Sequence, residues 1–479
     1  MIVENVYAPF LLHINQLNYH EAVESVYASY LRAEPFMEYE ALDAVKRSPI
    51  LLQEQMNQVM LTSPTILITG SKGKGAVAKV LASLLSYDGS CGLVTSPHVH
   101  SFTERIQVNQ QSITEEEFVT EMKRLLPVLF QIQSTLISAQ YISPVGIEVC
   151  LAQQHFWKNQ TRYQIFECGK GVQYDDTNCL FHQYAIITPI FLEHKRELGD
   201  TIEQIAVDKS HILTQDVKVA VSAAQSEKVL DLLQRQAKRQ QVMLLIEGKD
   251  FFCENIHTSF SGTMFDFRYQ NFKIEQIHIP MLGEHQAKNT SLALMMYLHL
   301  MQERLQEPEK LCLITAQGLS ERISSISYPG RMQVLSRHPL MILDACIHRN
   351  SAILVKKVLQ QMTTELFITV LCIPIDKDDC GVTKEIAEIS EQIIFTQVPN
   401  PHYHFEANQL HRISKMLFCE NSSSEKVQPD ADQKELIWRE EPYEAIQFAL
   451  HVSEKSKKPI LLLGTTAFVE WVLKDNWGK

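Results

Sequence analysis

The segment TILITGSKGKGAVAKV, residues 65–80, places a lysine in a glycine-rich turn between an apolar, strand-like run and a helical pattern. Such a turn can bind phosphate, because glycines let backbone N–H groups turn inward and a helix N-terminus adds partial positive charge. Beside Gly73 and Lys74, however, Ile68 occupies the first glycine position of the general phosphate-loop pattern and Gly75 its Ser/Thr position. The segment is either a degenerate, solvated turn or a phosphate loop that takes its magnesium ligand from elsewhere.

Polar residues also follow three other strand-like runs. Ser96 and His98 lie in VTSPHVHSFTERIQVN (94–109), and the other segments are ECGKGVQYDDTN (167–178) and FLEHKRELGDTIEQIAVDKSHIL (191–213). Ligands of open parallel sheets bind at the carboxyl ends of strands. Oxygen and nitrogen groups gathered at several such ends predict a magnesium–nucleotide site.

The pattern of elements predicts the fold that would position these residues. Short β-branched runs alternate with helical stretches, which predicts an α/β fold with a mainly parallel, P-loop-type sheet flanked by helices. The alternation of polar and apolar residues between about 242 and 280 predicts a small antiparallel sheet. A second series of strand-like and helical stretches, from LMILDA onward, predicts a smaller Rossmann-like α/β domain. The predicted parts are a helical extension (1–63), a central domain (64–326) and a C-terminal domain (327–479), with a surface loop at 419–434.

Length, charge and cysteine content limit the class of protein. A chain of 479 residues is too long to fold around one ordinary hydrophobic core, so more than one domain is expected. Its net charge of −12 argues against non-specific binding to nucleic acid or anionic lipid. No secretory signal is visible, no apolar run approaches about eighteen residues, and the ten cysteines include no C-x-x-C pair. These features predict a cytoplasmic enzyme.

Taken in order, the segments resemble the folylpolyglutamate synthase and dihydrofolate synthase branch of the Mur ligase superfamily. The shared motifs include the glycine turn, TSPH, E-x-G, D-x-T-N, L-x-H, H-Q-x-x-N, P-G-R and D-K-D. In that branch a glycine at the usual Ser/Thr position is normal, and the serine of TSPH supplies the magnesium ligand. The resemblance implies an ATP-dependent ligase that phosphorylates a folate carboxylate and then joins it to L-glutamate.

The resemblance also implies roles for individual residues, which fall into four groups. Phosphate contacts are expected from Gly70, Ser71, Lys72, Gly73, Lys74 and Gly75, and further nucleotide contacts from Asn289, Arg331 and Asp344. The ligands expected for two magnesium ions are Ser96, Glu148, His194 and Lys209, the last after carbamylation. The expected catalytic residues are Lys74, His194 and Lys209, and those expected to border the acid substrate are Asp175, Thr177 and Asn178.

Departures from the family pattern fall mainly on the acceptor side. Val172 and Gln173 replace a glycine and an arginine, and Asp176 adds a negative charge. Three hypotheses therefore stay open: a ligase that adds L-glutamate to a folate, a Mur-type ligase that couples an amino acid to another acid, and a catalytically inactive nucleotide-binding protein. The chain is expected to be a monomer, and no role follows from the sequence for residues 1–63.

Overall fold

The structure, a computed structural model, describes residues 5–34, 63–137, 140–305, 314–326, 328–399, 403–405, 409–419 and 435–474. The chain divides into two compact units. The first comprises residues 1–256, 265–278 and 285–326, and the second comprises residues 257–264, 279–284 and 327–479. The last division coincides with the predicted boundary at 327, but two short pieces predicted within the central domain belong to the second unit.

The first unit is built on an eight-stranded sheet. Its strands are β1 (Thr65–Thr69), β2 (Cys91–Val94), β3 (Ile106–Val108), β4 (Gln111–Ser112), β5 (Tyr163–Glu167), β6 (Tyr184–Ile187), β7 (Val219–Ser222) and β8 (Met243–Ile246). Their order across the sheet is β4-β3-β2-β5-β1-β6-β7-β8. Strands β2, β5, β1, β6, β7 and β8 run parallel to one another, whereas β3 and β4 extend the sheet antiparallel. The carboxyl ends of β1, β2, β5 and β6 therefore meet at one edge.

Helices cover this sheet and carry the apolar faces that its buried strands require. Before and around the first strands lie α1 (Ala8–Leu12), α2 (Tyr19–Ala33), α3 (Lys74–Ser86), α4 (Glu115–Gln133) and α5 (Pro144–Lys158). Later in the chain come α6 (Lys195–Leu198), α7 (Ile202–Ser210), α8 (Glu227–Gln240), α9 (Glu284–Leu305) and α10 (Ala316–Ser324). Short 3-10 helices occupy Ile14–Gln16, Phe102–Arg105 and Asp176–Cys179.

The N-terminal helices pack into the first unit. Helix α2 begins with a capping box in which Asn18 and Glu21 satisfy each other's backbone N–H groups. Its apolar face, which includes Val26, joins the same core as Phe118 of α4. Residues 5–34, predicted as part of a separate extension, therefore share a core with the central domain, and the rest of the predicted extension up to residue 62 lies outside the described residues.

A three-stranded sheet follows β8, in the place where an antiparallel patch is predicted. It consists of β9 (Phe251–Ser259), β10 (Gly262–Tyr269) and β11 (Phe272–Ile279), in the order β11-β10-β9. Two-residue connections join these consecutive strands, as in β-hairpins. Parts of these strands belong to each of the two units.

The second unit contains a six-stranded sheet. Its strands are β12 (Gln333–Arg337), β13 (Leu340–Asp344), β14 (Phe367–Cys372), β15 (Ser390–Phe395), β16 (Glu435–Trp438) and β17 (Ile460–Gly464), in the order β12-β13-β17-β14-β15-β16. Only β12 pairs antiparallel. The helices are α11 (Arg349–Met362), α12 (Asp379–Ala387), α13 (Gln409–Cys419), α14 (Pro442–Ser456) and α15 (Thr466–Lys474).

Both sheets confirm the predicted α/β fold class, with parallel strands alternating with helices. Residues 420–434 of the predicted surface loop lie outside the described residues. Within the described ranges, no helix combines the length and apolar character needed to cross a membrane.

Candidate active site

The glycine-rich turn joins β1 to α3 in the geometry of a phosphate loop. Gly70 and Gly73 have positive φ values of 132° and 91°, which only glycine adopts without strain. A Cβ atom on Gly70 would lie 2.0 Å from Oγ1 of Thr188, and one on Gly73 would lie 2.5 Å from Oδ1 of Asn289. The turn is therefore held tightly between two other segments, and Asn289 of α9 is brought against it.

Two lysine side chains converge on the same carbonyl oxygen of this turn. Nζ of Lys74 lies 3.0 Å from the oxygen of Gly70, and Nζ of Lys209 lies 3.1 Å from it. Lys209 is 1% exposed and also forms an ion pair with Glu193 at 3.2 Å. Burial lowers the pKa of Lys209, Glu193 opposes that shift, and the charge of Lys74 adds to it. The charge of Lys74 beside the Gly70 carbonyl favours an anionic ligand at the turn.

Ser71 anchors the turn to the segment after β6. Its backbone N–H donates to the oxygen of Pro189 at 2.9 Å, and its hydroxyl exchanges hydrogen bonds with the backbone of Phe191. The hydroxyls of Thr69 and Thr188 are buried there without a hydrogen-bond partner in the described part of the chain. Buried polar atoms usually find a partner, so these orphaned hydroxyls beside Gly70 fit a site that takes a polar ligand.

Glu167 organises the neighbouring TSPH segment. Its Oε2 accepts hydrogen bonds from the hydroxyl of Thr95 and from the backbone N–H of Ser96, the latter at 3.0 Å. Glu167 is the last residue of β5, which lies between β1 and β2, and Thr95 follows β2 directly. The carboxylate thus connects the ends of two adjacent parallel strands and sets the backbone that carries Ser96.

Glu148 lies in the same acidic neighbourhood, buried on α5. Arg105 donates to its Oε2 at 3.0 Å and also donates to Nδ1 of His98 at 2.8 Å. Burial raises the pKa of Glu148 to about 7; Arg105 opposes this shift, and the nearby carboxylates of Glu167 and Asp175 add to it. Several carboxylates held close together in this way favour a bound cation.

The residues present fit a magnesium ion of the kind that completes its coordination with phosphate and water. Magnesium binds hard oxygen ligands and commonly takes one or two carboxylates rather than a full protein cage. The Ser96 hydroxyl and the carboxylates of Glu148 and Glu167 are ligands of that type. Among the residues described, no group of three or more His, Cys, Asp or Glu side chains is arranged to bind a metal by itself.

His194 belongs to a second grouping. It precedes α6 with a positive φ of 45°, and its Nε2 lies 4.0 Å from a carboxylate oxygen of Glu193, the partner of Lys209. Burial lowers the pKa of His194 and Glu193 opposes the shift. His194 and Lys209 thus share Glu193 as a neighbour, whereas Ser96 and Glu148 both lie near Glu167.

The segment after β5, residues 169–178, runs along the same edge of the sheet. Asp175 accepts from the backbone N–H groups of Gly169 at 2.8 Å and Thr177 at 2.9 Å. Thr177 donates its hydroxyl to Sγ of Cys168 at 3.2 Å, and the side-chain oxygen of Asn178 is buried without a partner in the described chain. Asp175 and Thr177 thus hold the loop in place.

Comparison with known proteins identifies relatives of this chain. Residues 68–297 match the Mur ligase middle domain. The chain therefore contains a Mur ligase middle domain. It is 24% identical over 412 residues to the dihydrofolate synthase/folylpolyglutamate synthase of Bacillus subtilis, covering 85% of this chain and 89% of that protein. It is 22% identical over 333 residues to the folylpolyglutamate synthase of Lacticaseibacillus casei, covering 69% and 76%. These relatives confirm the family predicted from the motifs.

A solved structure supports the fold of the ligase. The folylpolyglutamate synthase of Mycobacterium tuberculosis, complexed with ADP and AMPPCP, superimposes with a TM-score of 0.77 at 21% identity, covering 90% of this chain and 95% of that one. The ligase thus has the α/β fold of that synthase.

Two of the expected nucleotide contacts lie in the second unit of the ligase. Asp344 ends β13 and accepts from the backbone N–H of Met332 at 2.8 Å, and Arg331 donates to the oxygen of Ala345 at 3.4 Å. Both residues therefore stand at the carboxyl end of a parallel strand, where ligands of such sheets bind. Their part in nucleotide binding stays a prediction.

The remaining expected phosphate contacts lie in the first unit. Gly75 is buried in the first turn of α3, whereas Lys72 is exposed at the tip of the turn. Asn289 donates to the side chain of Gln286 at 3.3 Å. These positions agree with phosphate binding but do not test it.

Four charged residues that the sequence interpretation did not single out contribute to the site of the ligase: Arg105, Glu167, Glu193 and Asp208. Each of them adjoins a motif residue or ends a buried run. An ionisable residue at the end of a strand, or beside a predicted ligand, is therefore the sequence signal that could have identified them. Asp208, beside Lys209, accepts from the backbone N–H groups of Val172 at 2.7 Å and Gln173 at 3.3 Å.

Proposed function

We propose that the ligase couples L-glutamate to a carboxylate of a folate in a reaction driven by ATP. The observation that carries this proposal is the convergence of Lys74 and Lys209 on the carbonyl of Gly70, at 3.0 and 3.1 Å. That turn lies at the edge of the sheet where the 169–178 segment also lies. The substrates are proposed from the curated relatives, which are dihydrofolate and folylpolyglutamate synthases.

The proposed reaction has two steps. A carboxylate oxygen of the acid attacks the γ-phosphorus of ATP and ADP leaves, which gives an acyl phosphate. The amine of glutamate then attacks the acyl carbon, phosphate leaves, and loss of a proton from nitrogen gives the amide. Phosphoryl transfer depends on positioning and charge stabilisation, so Lys74 and the backbone N–H groups at the start of α3 would hold the phosphates and offset the charge that develops on them.

Magnesium would reduce the charge of the ATP phosphates when bound. One ion would be held by Ser96 and Glu148, close to Glu167, and a second by His194 and by Lys209 once carbamylated. Carbamylation requires the neutral amine, and burial lowers the pKa of Lys209 in the direction that supplies it. In ¹³C-bicarbonate, a carbamate resonance present in the native protein and absent from the Lys209→Ala variant would support this assignment; no such resonance would exclude it.

A Mur-type ligase for a different acid is the second candidate. The observation that favours it is Asp176, a 4% exposed carboxylate in the segment proposed to border the substrate. Burial, this carboxylate and Tyr30 raise the pKa of Tyr141, and the carboxylate adds to the raised pKa of Cys150, which lies on α5. An additional buried negative charge could select an acid whose ring system carries hydrogen-bond donors or positive charge.

Product formation distinguishes the candidates. The protein is incubated with ATP, magnesium, glutamate and a panel of reduced folates and other carboxylic acids, and ADP and ligated products are measured by mass spectrometry. We expect ADP only when a folate is present. ADP formed only with another acid would replace the folate assignment, and an absence of ADP with every acid would favour the inactive nucleotide-binding protein.

Two variants test the phosphate loop directly. Lys74→Ala should abolish acid-dependent release of phosphate, because the charge beside the Gly70 carbonyl is lost. Lys238→Ala removes an exposed lysine from the last turn of α8. It should leave the rate within about twofold of wild type, because substitutions at exposed surface positions usually have small effects. Full turnover by Lys74→Ala would overturn the ligase mechanism.

The same proposal covers the location and assembly of the enzyme. We place it in the cytoplasm, because the reaction consumes ATP, and we expect a monomer. Light scattering of the purified protein would test the second point, with a mass of twice 54.9 kDa as the contradicting result.

A further inference from the structure

The loop of residues 169–175, here called the acceptor loop, is held by carboxylates rather than by a regular ladder of backbone hydrogen bonds. Asp175 binds the N–H of Gly169 from within the loop. Asp208, from α7, binds the N–H groups of Val172 at 2.7 Å and Gln173 at 3.3 Å, one with each carboxylate oxygen. The centre of the loop therefore takes its position from a helix that follows it by more than thirty residues in the sequence.

The loop lies so close to Asp208 that only glycine fits at position 171. Gly171 has a φ of +86°, and a Cβ atom there would lie 2.7 Å from Oδ1 of Asp208 and 2.8 Å from Cδ2 of Leu198. Any larger residue would push the loop away from the carboxylate. Asp208 is itself only 8% exposed, so solvent does not compete strongly for its oxygens.

The same turn of α7 also reaches the phosphate loop. Lys209, the next residue, places Nζ 3.1 Å from the oxygen of Gly70 and 3.2 Å from Glu193. Adjacent residues of one helical turn thus contact the two loops that lie at the ends of the neighbouring strands β1 and β5. A shift of this turn would move both contacts together.

We propose that Asp208 is the positioning residue that holds the acceptor loop in register with the phosphate loop and thereby sets the affinity for the acid substrate. This inference rests on the proposed function, in which the acceptor loop borders the acid. Asp208 does not touch the reacting atoms. Its effect passes through the backbone of Val172 and Gln173, two of the residues at which this chain departs from the family pattern.

The test replaces Asp208 with Asn, which keeps the shape but removes the charge and turns one acceptor oxygen into an NH₂ group that faces a backbone N–H. Hydrogen bonds to charged groups are among the stronger ones, so we expect the KM for the acid to rise by roughly tenfold or more. The KM for ATP should stay within about twofold, because the contact of Lys209 with Gly70 remains. The acid used is whichever member of the panel supports ADP release.

The matched control is Asp231→Asn. Asp231 is an exposed helical aspartate on α8 whose partner is Arg235, four residues away, and its replacement should change neither KM. Gly171→Ala is the second variant, which disturbs the same contact from the loop side and leaves Asp208 intact. It should reproduce the rise in the KM for the acid if the contact, rather than the carboxylate alone, is responsible.

Hydrogen exchange of the full chain provides a readout that needs no turnover. The peptide covering residues 169–175 should exchange faster in Asp208→Asn than in wild type, whereas the peptide covering 65–80 should be unchanged. An unchanged KM for the acid, an equal rise in both KM values, or wild-type exchange in 169–175 would each overturn the proposal. If no acid supports ADP release, the proposed function fails, and the exchange result still decides whether Asp208 holds the loop.

Discussion

Replacing Glu167 with alanine tests whether one carboxylate oxygen sets the position of Ser96. Oε2 of Glu167 accepts from both the hydroxyl of Thr95 and the N–H of Ser96, and hydrogen bonds to a charged group contribute about 1.5–3 kcal/mol each. Glu167→Ala should therefore lower the free energy of unfolding by about 3–6 kcal/mol, a large share of the roughly 5–15 kcal/mol typical of a domain. Thr95→Val removes only one of the two bonds and should cost about half as much.

The assay combines urea unfolding with the magnesium dependence of ADP release. If Glu167 positions Ser96 as a metal ligand, Glu167→Ala should raise the magnesium concentration at half-maximal rate, in addition to its effect on stability. Glu121→Ala is the matched control, because Glu121 is also buried and charged but pairs with Arg124 and Lys158 on the helical surface. It should destabilise the protein without changing the magnesium dependence. Equal magnesium dependence in the two variants, or wild-type stability of Glu167→Ala, would refute the reasoning.

Three further predictions concern the turn, the N-terminal helix and the buried thiols. Gly73→Ala should weaken ATP binding by at least about tenfold in a calorimetric titration, because its φ of 91° strains any residue that has a Cβ; wild-type affinity for ATP would contradict this. Tyr19→Phe removes the 2.8 Å hydrogen bond to Ser101 and should lower the free energy of unfolding by about 0.5–1.5 kcal/mol; an unchanged urea midpoint would contradict this. Burial raises the pKa of Cys168 to about 12, so iodoacetamide at pH 8 should modify it only after unfolding, and labelling of the native protein detected by mass spectrometry would show that the thiol is accessible.

Much of the fold follows from local patterns in the sequence. The run from Thr65 to Thr69 is apolar, bounded by a glycine turn and followed by a helical period, and it forms a fully buried strand that leads into α3. A buried parallel strand needs apolar residues on both faces, so its pattern is visible in one short window. The same reasoning identifies the strands that end at Glu167 and Asp344.

The contacts that complete the site depend on residues far apart in the chain. Glu167 binds a backbone group 71 residues before it, and Asp208 binds one 36 residues before it. No helical or strand period encodes such pairs, because they arise only when parallel strands bring their ends together. The division of the β9–β11 sheet between units could not be predicted for the same reason: alternation indicates strands but not the core that their ends join.

The chain passes several times between its two units, which limits how parts of it can be exchanged with a related protein. It changes unit after residues 256, 264, 278, 284 and 326, and Leu282 contributes to the core of the second unit well before the main boundary. A gene fusion or exchange at position 327 would therefore combine Leu282 from one parent protein with the rest of the second-unit core from the other. The segment from residue 327 onward is therefore not a self-contained unit, and a single crossover anywhere between residues 257 and 326 likewise separates parts of one unit.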